Sequence, residues 1–157
     1  MISTSGSINF RLGARFDAYR LSELLEAFVS DRLKVIIRHP VVLYAFPYIR
    51  ANTLLQQSEK ARKTNSSYEY TNEMSAYDLL VIDDFGLMEL DMDKCRDLFE
   101  IIETRDSRKA TMIVSQLPVA NWWDLFKDST YADACLSRMT AKAYRLECNG
   151  RDMRKTE

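Results

Sequence analysis

Leu79-Leu80-Val81-Ile82 runs straight into Asp83 and Asp84, and then into Phe85-Gly86. A continuous apolar run of this kind marks a strand buried on both faces of a parallel sheet. Ligands of such sheets bind beyond the carboxyl ends of the strands. A carboxylate there is costly to bury unless something pairs with it. Magnesium carried by a nucleotide is one such partner; it keeps several waters and takes one or two protein carboxylates. The second carboxylate can orient an attacking water. An ordinary structural role stands beside this chemistry, because an aspartate that ends a strand often caps the following turn.

The elements that would position this pair can be read from periodicity. Leu21, Leu24, Leu25 and Phe28 share one face of a helix over residues 16–33. Pro40 breaks the next β-rich stretch, so a strand is expected after it, over residues 41–46. Pro47 then permits a helix start, and Tyr48 to Lys63 continues at helical period. Residues 64–72 read as a polar loop. After the strand at 79–84, residues 92–108 form the clearest helix in the chain. Cys95, Leu98, Phe99 and Ile102 lie on its apolar face, and Asp91 caps it. Residues 111–116 are the next buried strand, stopped by Pro118. Helices are expected over 120–126 and 131–143, and a final strand over 143–147. A turn at Asn149-Gly150 and a basic tail close the chain. This alternation predicts an α/β fold with a mostly parallel sheet and flanking helices.

Bulk properties narrow the choices. A chain of 157 residues suits one compact domain. A net charge of −1 and a pI of about 5.9 give no global polycation for nucleic acid, though a local basic patch remains open. The three cysteines are widely spaced, with neither CxxC metal spacing nor a disulfide framework. The first residues contain no apolar leader, and no stretch approaches a membrane span. A reducing, cytoplasmic setting is expected. His39 has no partner pattern, and Trp122 and Trp123 read as core or helix-packing residues before base-stacking ones. A response-regulator receiver also carries an early acidic pair, but it needs a phosphorylatable aspartate ending a later strand. Here that strand ends in Ser115-Gln116-Leu117-Pro118, and Asp124 falls in a stretch read as helix, so the receiver is rejected.

Four blocks then carry a resemblance. DLLVIDDFGLMELD resembles the Walker B strand and its exit in the IstB/DnaC-like group of AAA+ ATPases, P-loop nucleotidases, with IstB, the helper ATPase of insertion-sequence transposition, the nearest. TMIVSQLPVANWWDLF resembles that family's sensor 1 strand and the S-[NQ]-L-P-x-x-x-W segment after it. STYADACLSRM is similar to its D-x-x-x-A-x-x-x-R-[LM] helix, and AYRLECNGRDMRK to its last strand and G-x-S-x-R closing motif. The blocks follow the family's order and spacing, and the resemblance covers roughly residues 41–155. It implies an AAA+ core over residues 41–157, with residues 1–40 unassigned apart from one helix.

The resemblance implies ATP and Mg2+ as cofactors, DNA and a transposase as partners, self-assembly, and no membrane. Asp83 would hold magnesium through water, and Asp84 would orient the attacking water. Gln116 would face the γ-phosphate or that water, and Arg138 would be a finger toward a neighbouring subunit's nucleotide. Arg154 would sense nucleotide. Gln116 and Arg138 also have plainer roles open to them: Gln116 could bond a strand end, and Arg138 could pair with Asp133 or a helix C-terminus.

The phosphate-binding half is harder to find. Walker A needs G-x-x-x-x-G-K-[ST], whose amides and lysine cradle the phosphates. The glycines are Gly6, Gly13, Gly86 and Gly150, and none sits in such a run. Asp84 also replaces the glutamate usual in AAA+ proteins, which shortens its reach by one carbon-carbon bond. Asp152 stands where the closing motif usually has serine, beside Arg151 and Arg154. The missing phosphate cradle, and not the aspartate at position 84, makes weak or absent ATP hydrolysis the expectation. The competing expectation is a non-catalytic module that binds DNA or a partner through Arg138, Lys142, Arg145, Arg151, Arg154 and Lys155. A remnant with an exposed strand edge, prone to aggregate, is the third.

Overall fold

The computed structural model describes residues 5–11, 47–141 and 143–149. It is an α/β fold built on a five-stranded sheet in the order β2-β3-β4-β1-β5. The strands are β1 (Ser5–Arg11), β2 (Tyr48–Arg50), β3 (Leu79–Phe85), β4 (Ala110–Ser115) and β5 (Tyr144–Asn149). The helices are α1 (Ala51–Lys63), α2 (Ser67–Ala76), α3 (Met92–Arg105) and α4 (Ser129–Thr140). Strands β2, β3 and β4 are parallel; for β3 and β4 the apolar runs predict it. Strand β1 runs antiparallel to both β4 and β5, so β5 points the same way as β4.

The core follows from the period-two alternation of β3. Leu80 and Ile82, with Ile113 of β4, face a single cluster that takes Leu54 and Leu55 from α1 and Leu98, Ile101 and Ile102 from α3. Ala132, Cys135 and Met139 of α4 join the same cluster. Leu79, Val81, Ala110 and Met112 are buried on the opposite face. Asp91 caps α3 by accepting from the Lys94 amide at 3.0 Å, as expected, and Asp128 does the same for α4 through the Tyr131 amide at 2.9 Å.

The amino ends of the strands are fastened by Arg105, only 1% exposed. Its guanidinium donates to the Met74 and Tyr77 carbonyls at 2.6 and 3.0 Å, to Thr111 Oγ1 at 3.0 Å, and to the Ala110 carbonyl. It thus ties α2, α3, β4 and the approach to β3. Burial lowers its pKa to about 10, so it stays charged at neutral pH.

Several expectations are corrected. Tyr48–Arg50 is strand, and α1 starts only at Ala51, because pairing with β3 captures the residues after Pro47. The expected loop at 64–72 shrinks to a turn at Thr64–Ser66, and Ser67–Ala76 is helix. Only Met74 of α2 is fully buried, so the helix lacks a readable apolar stripe. It leans instead on Tyr70, whose hydroxyl donates to the Leu54 carbonyl at 3.2 Å. Residues 120–126 form two short 3₁₀ turns, Val119–Asn121 and Trp123–Leu125, instead of a helix. Ser5–Arg11, within the residues 1–40 left unassigned, is a strand inside the sheet. The helix expected at 16–33 and the strand at 41–46 lie outside the described residues. Among the described residues no helix is long and apolar enough to cross a membrane.

Candidate functional site

The carboxyl ends of β3 and β4 meet at an irregular junction. The pairing of β3 with β4 is regular from Leu79 to Ile82, then shifts register before Phe85 meets Ser115. Asp84 absorbs the shift with φ 54°. This is the left-handed region, which aspartate enters more readily than most residues. A bulge of this kind bends the strand and re-aims its side chains. Gly86 follows at φ +97°. A β-carbon there would lie 2.8 Å from Leu117 Cδ1 and 3.4 Å from Ser115 Oγ. Only glycine fits without displacement.

Ser115 locks the two strand ends together. Its hydroxyl donates to the Phe85 carbonyl at 2.6 Å and accepts from the Leu117 amide at 3.0 Å. Trp122 is fully buried and packs edge-on against Phe85, with ring centroids 4.9 Å apart. Buried tryptophan needs a partner for its N–H. Trp122 finds one in the Leu117 carbonyl, at 3.2 Å. The loop after β3 is stitched to the loop after β4 as well. The Leu90 amide donates to the Leu125 carbonyl at 2.9 Å, and the Lys127 amide to the Leu90 carbonyl at 3.0 Å. Asp83, Asp84 and Gln116 are therefore presented on one braced rim.

The edge strand supplies partners for both carboxylates. Tyr48 pairs with Val81 and Arg50 with Asp83 in the ladder, so both side chains share the face that carries Val81 and Asp83. The Tyr48 hydroxyl donates to Asp83 Oδ2. Partial burial raises the Tyr48 pKa, and the bond to Asp83 raises it further, so the phenol remains a proton donor. Arg50 Nε lies 3.4 Å from Asp84 Oδ2. Neither residue stands out in the sequence, because the stretch reads as helix. Two half-exposed carboxylates offering oxygen donors suit a hard divalent cation that brings waters and phosphate oxygens of its own.

Of the remaining expected site residues, Gln116 stands at this rim and Arg138 does not. Gln116 is exposed beyond β4, and the strand-end bond open to it belongs to Ser115. Arg138 sits at the other end of the sheet from Asp83, in a small cleft with Arg105, Lys109 and Thr111. It pairs with Glu103, donates to the Ala134 carbonyl at 2.9 Å, and lies 5.1 Å over the Phe99 ring. The partner is thus Glu103 in place of Asp133, which instead accepts from Trp123 Nε1 at 3.0 Å. Trp122 is core, but Trp123 is 46% exposed. Arg145 is exposed on β5, while Lys142, Arg151, Arg154 and Lys155 lie outside the described residues.

The family described as IstB-like ATP binding protein matches residues 34–157, most of the chain. The chain belongs to that family. Among curated relatives, y4uH of Sinorhizobium fredii, named as a putative insertion sequence ATP-binding protein, is 42% identical over 108 residues, covering 69% of this chain and 44% of its own. A second protein of that organism, y4pL, carries the same kind of name and is 42% identical over 79 residues, 50% of this chain and 32% of its own. The IS232 protein of Bacillus thuringiensis, also named for ATP binding, is 25% identical over 107 residues, 68% of this chain and 43% of its own. The IstB-like chain thus spans less than half the length of these relatives.

Proposed function

We propose that this IstB-like chain carries the cation and water side of an ATP site, in an ATP-dependent helper of DNA transposition that works in the cytoplasm. The observation that carries the reading is the braced rim: two adjacent carboxylates at the carboxyl end of a central parallel strand, beside Gln116. Mg2+ and ATP are its cofactors, and magnesium supplies charge neutralisation on the phosphates when bound. Asp83 holds the cation through water, and Asp84 orients the attacking water. Gln116 addresses the terminal phosphate or that water. Arg138, at the far end of the sheet from its own Asp83, serves a neighbouring subunit's nucleotide. Arg154 responds to nucleotide, and Lys142, Arg145, Arg151 and Lys155 contact DNA phosphates. DNA and a transposase are the partners.

Hydrolysis by this chain alone is weak or absent. A loop that cradles phosphates beside Asp83 has to leave a strand running with β3. Strand β1 occupies the place between β4 and β5 but runs against them: Ser7 pairs with Ser115, and Arg11 with Thr111. Its outgoing end therefore lies at the far end of the sheet, which supports a phosphate side that the described residues do not supply. The test is steady-state phosphate release with Mg·ATP. The expected rate is far below the ~1 s⁻¹ lower range of ordinary enzymes. A rate within that range, abolished by Asp83→Asn, would overturn this reading.

A further inference from the structure

The two aspartates of the rim have unlike partners on β2, and the difference carries a consequence for the cation. Arg50 brings a full positive charge to Asp84, at 3.4 Å. Tyr48 brings a neutral hydroxyl to Asp83 and engages Oδ2. A carboxylate has about four lone-pair directions over its two oxygens, so one phenol bond leaves its charge intact and Oδ1 open to a cation or its water. A guanidinium beside a carboxylate instead opposes a second cation by charge repulsion.

We propose that Tyr48 is a positioning residue for the divalent cation: its hydroxyl fixes the Asp83 carboxylate so that Oδ1 faces the cation, while Arg50 keeps the cation off Asp84. The inference rests on the cation reading above and adds the residue that orients the ligand. Its physical basis is general, since carboxylates that hold metals are themselves hydrogen-bonded and loss of that partner weakens metal binding. The geometry fits the role. Tyr48 and Asp83 stand on adjacent parallel strands, on the same face, two ladder positions apart. Tyr48 is 43% exposed, so it leans over the rim and is not sunk into the core. Asp84, at positive φ and with Arg50 Nε 3.4 Å from its Oδ2, is left to the water.

The test uses the full chain and Mn2+ alone, titrated and followed by the loss of the free-ion electron paramagnetic resonance signal. Tyr48→Phe keeps the ring and removes only the donor. The expected result is an Mn2+ affinity about tenfold weaker in Tyr48→Phe, with an unchanged thermal midpoint, and loss of binding in Asp83→Asn. Arg50→Gln is expected to add a second, weaker Mn2+ site that Asp84→Asn removes. If Asp83→Asn abolishes binding while Tyr48→Phe binds as well as the parent or better, the positioning role is wrong and the cation reading survives. If the parent binds no Mn2+, or binds it equally with Asp83→Asn, the cation reading fails and the inference with it. A weakened Tyr48→Phe that also unfolds earlier would overturn the positioning role in favour of a structural one; Tyr48→Leu, which loses ring and donor alike, must then show the larger drop in midpoint.

Discussion

Arg105 and the Asp83-Asp84 pair are charges at opposite ends of the same strands, treated in opposite ways. Arg105 is 1% exposed, and its donors reach three carbonyls and a hydroxyl within the chain. Its charge goes into holding α2, α3 and the starts of β3 and β4 together. The aspartates are half-exposed, each is held from a short edge strand, and one of them sits at positive φ on a bulge. A charge that is buried and fully bonded serves the fold. A charge left half-open on a strained, braced rim keeps capacity for a ligand.

Mutating both ends and comparing unfolding in denaturant puts that contrast under the largest load. Arg105→Met leaves buried carbonyls without donors and is expected to cost about 3–5 kcal/mol. Asp83→Asn is expected to stay within about 0.5 kcal/mol of the parent. Equal losses at the two sites would erase the distinction between structural and functional charge.

A smaller effect tests the bracing of the rim. Gly86→Ala places a methyl 2.8 Å from Leu117 Cδ1 on a backbone at φ +97°. The expected cost is about 1–3 kcal/mol. Adding Leu117→Ala relieves the contact but not the backbone strain, so the double variant should lose less than the sum of its singles. Simple additivity would show that the two loops do not press on each other.

The smallest effect concerns a charge of intermediate kind, the cap of α3. Asp91→Ala is expected to cost about 1 kcal/mol at neutral pH. The backbone bond from Lys94 holds the Asp91 carboxyl below its usual range. A carboxyl with a depressed folded pKa stabilises above its unfolded value and loses that contribution as pH falls through the folded one. The gap between parent and variant should therefore close in acid. A gap that persists there would mean the side chain acts by something other than its charge.

The two ends of the sheet also differ in how far the sequence announces them. Strands β3 and β4 are legible because continuous apolar runs leave few alternatives to a buried parallel strand. The Asp91 cap and the carboxylate pair are legible because residue type and place coincide. Arg105 is not, since nothing local separates a guanidinium reaching four neighbours from one in water. Tyr48 and Arg50 hide behind a helical period that continues smoothly into α1, and only pairing with β3 makes them strand. Helix α2 is hidden by its polar face, and β1 by its small residues and by partners far along the chain. What the residues alone do not announce is, in each case, decided by a contact distant in sequence.

Everything proposed for the rim depends on Asp83 holding the cation of a nucleotide. Calorimetric titration of Mg·ATP into the parent chain and into Asp83→Asn puts that dependence to the proof. The expected result is weak binding by the parent that Asp83→Asn removes, with both proteins equally folded. Binding of equal strength in the two, or no heat from the parent at any nucleotide concentration, would contradict it.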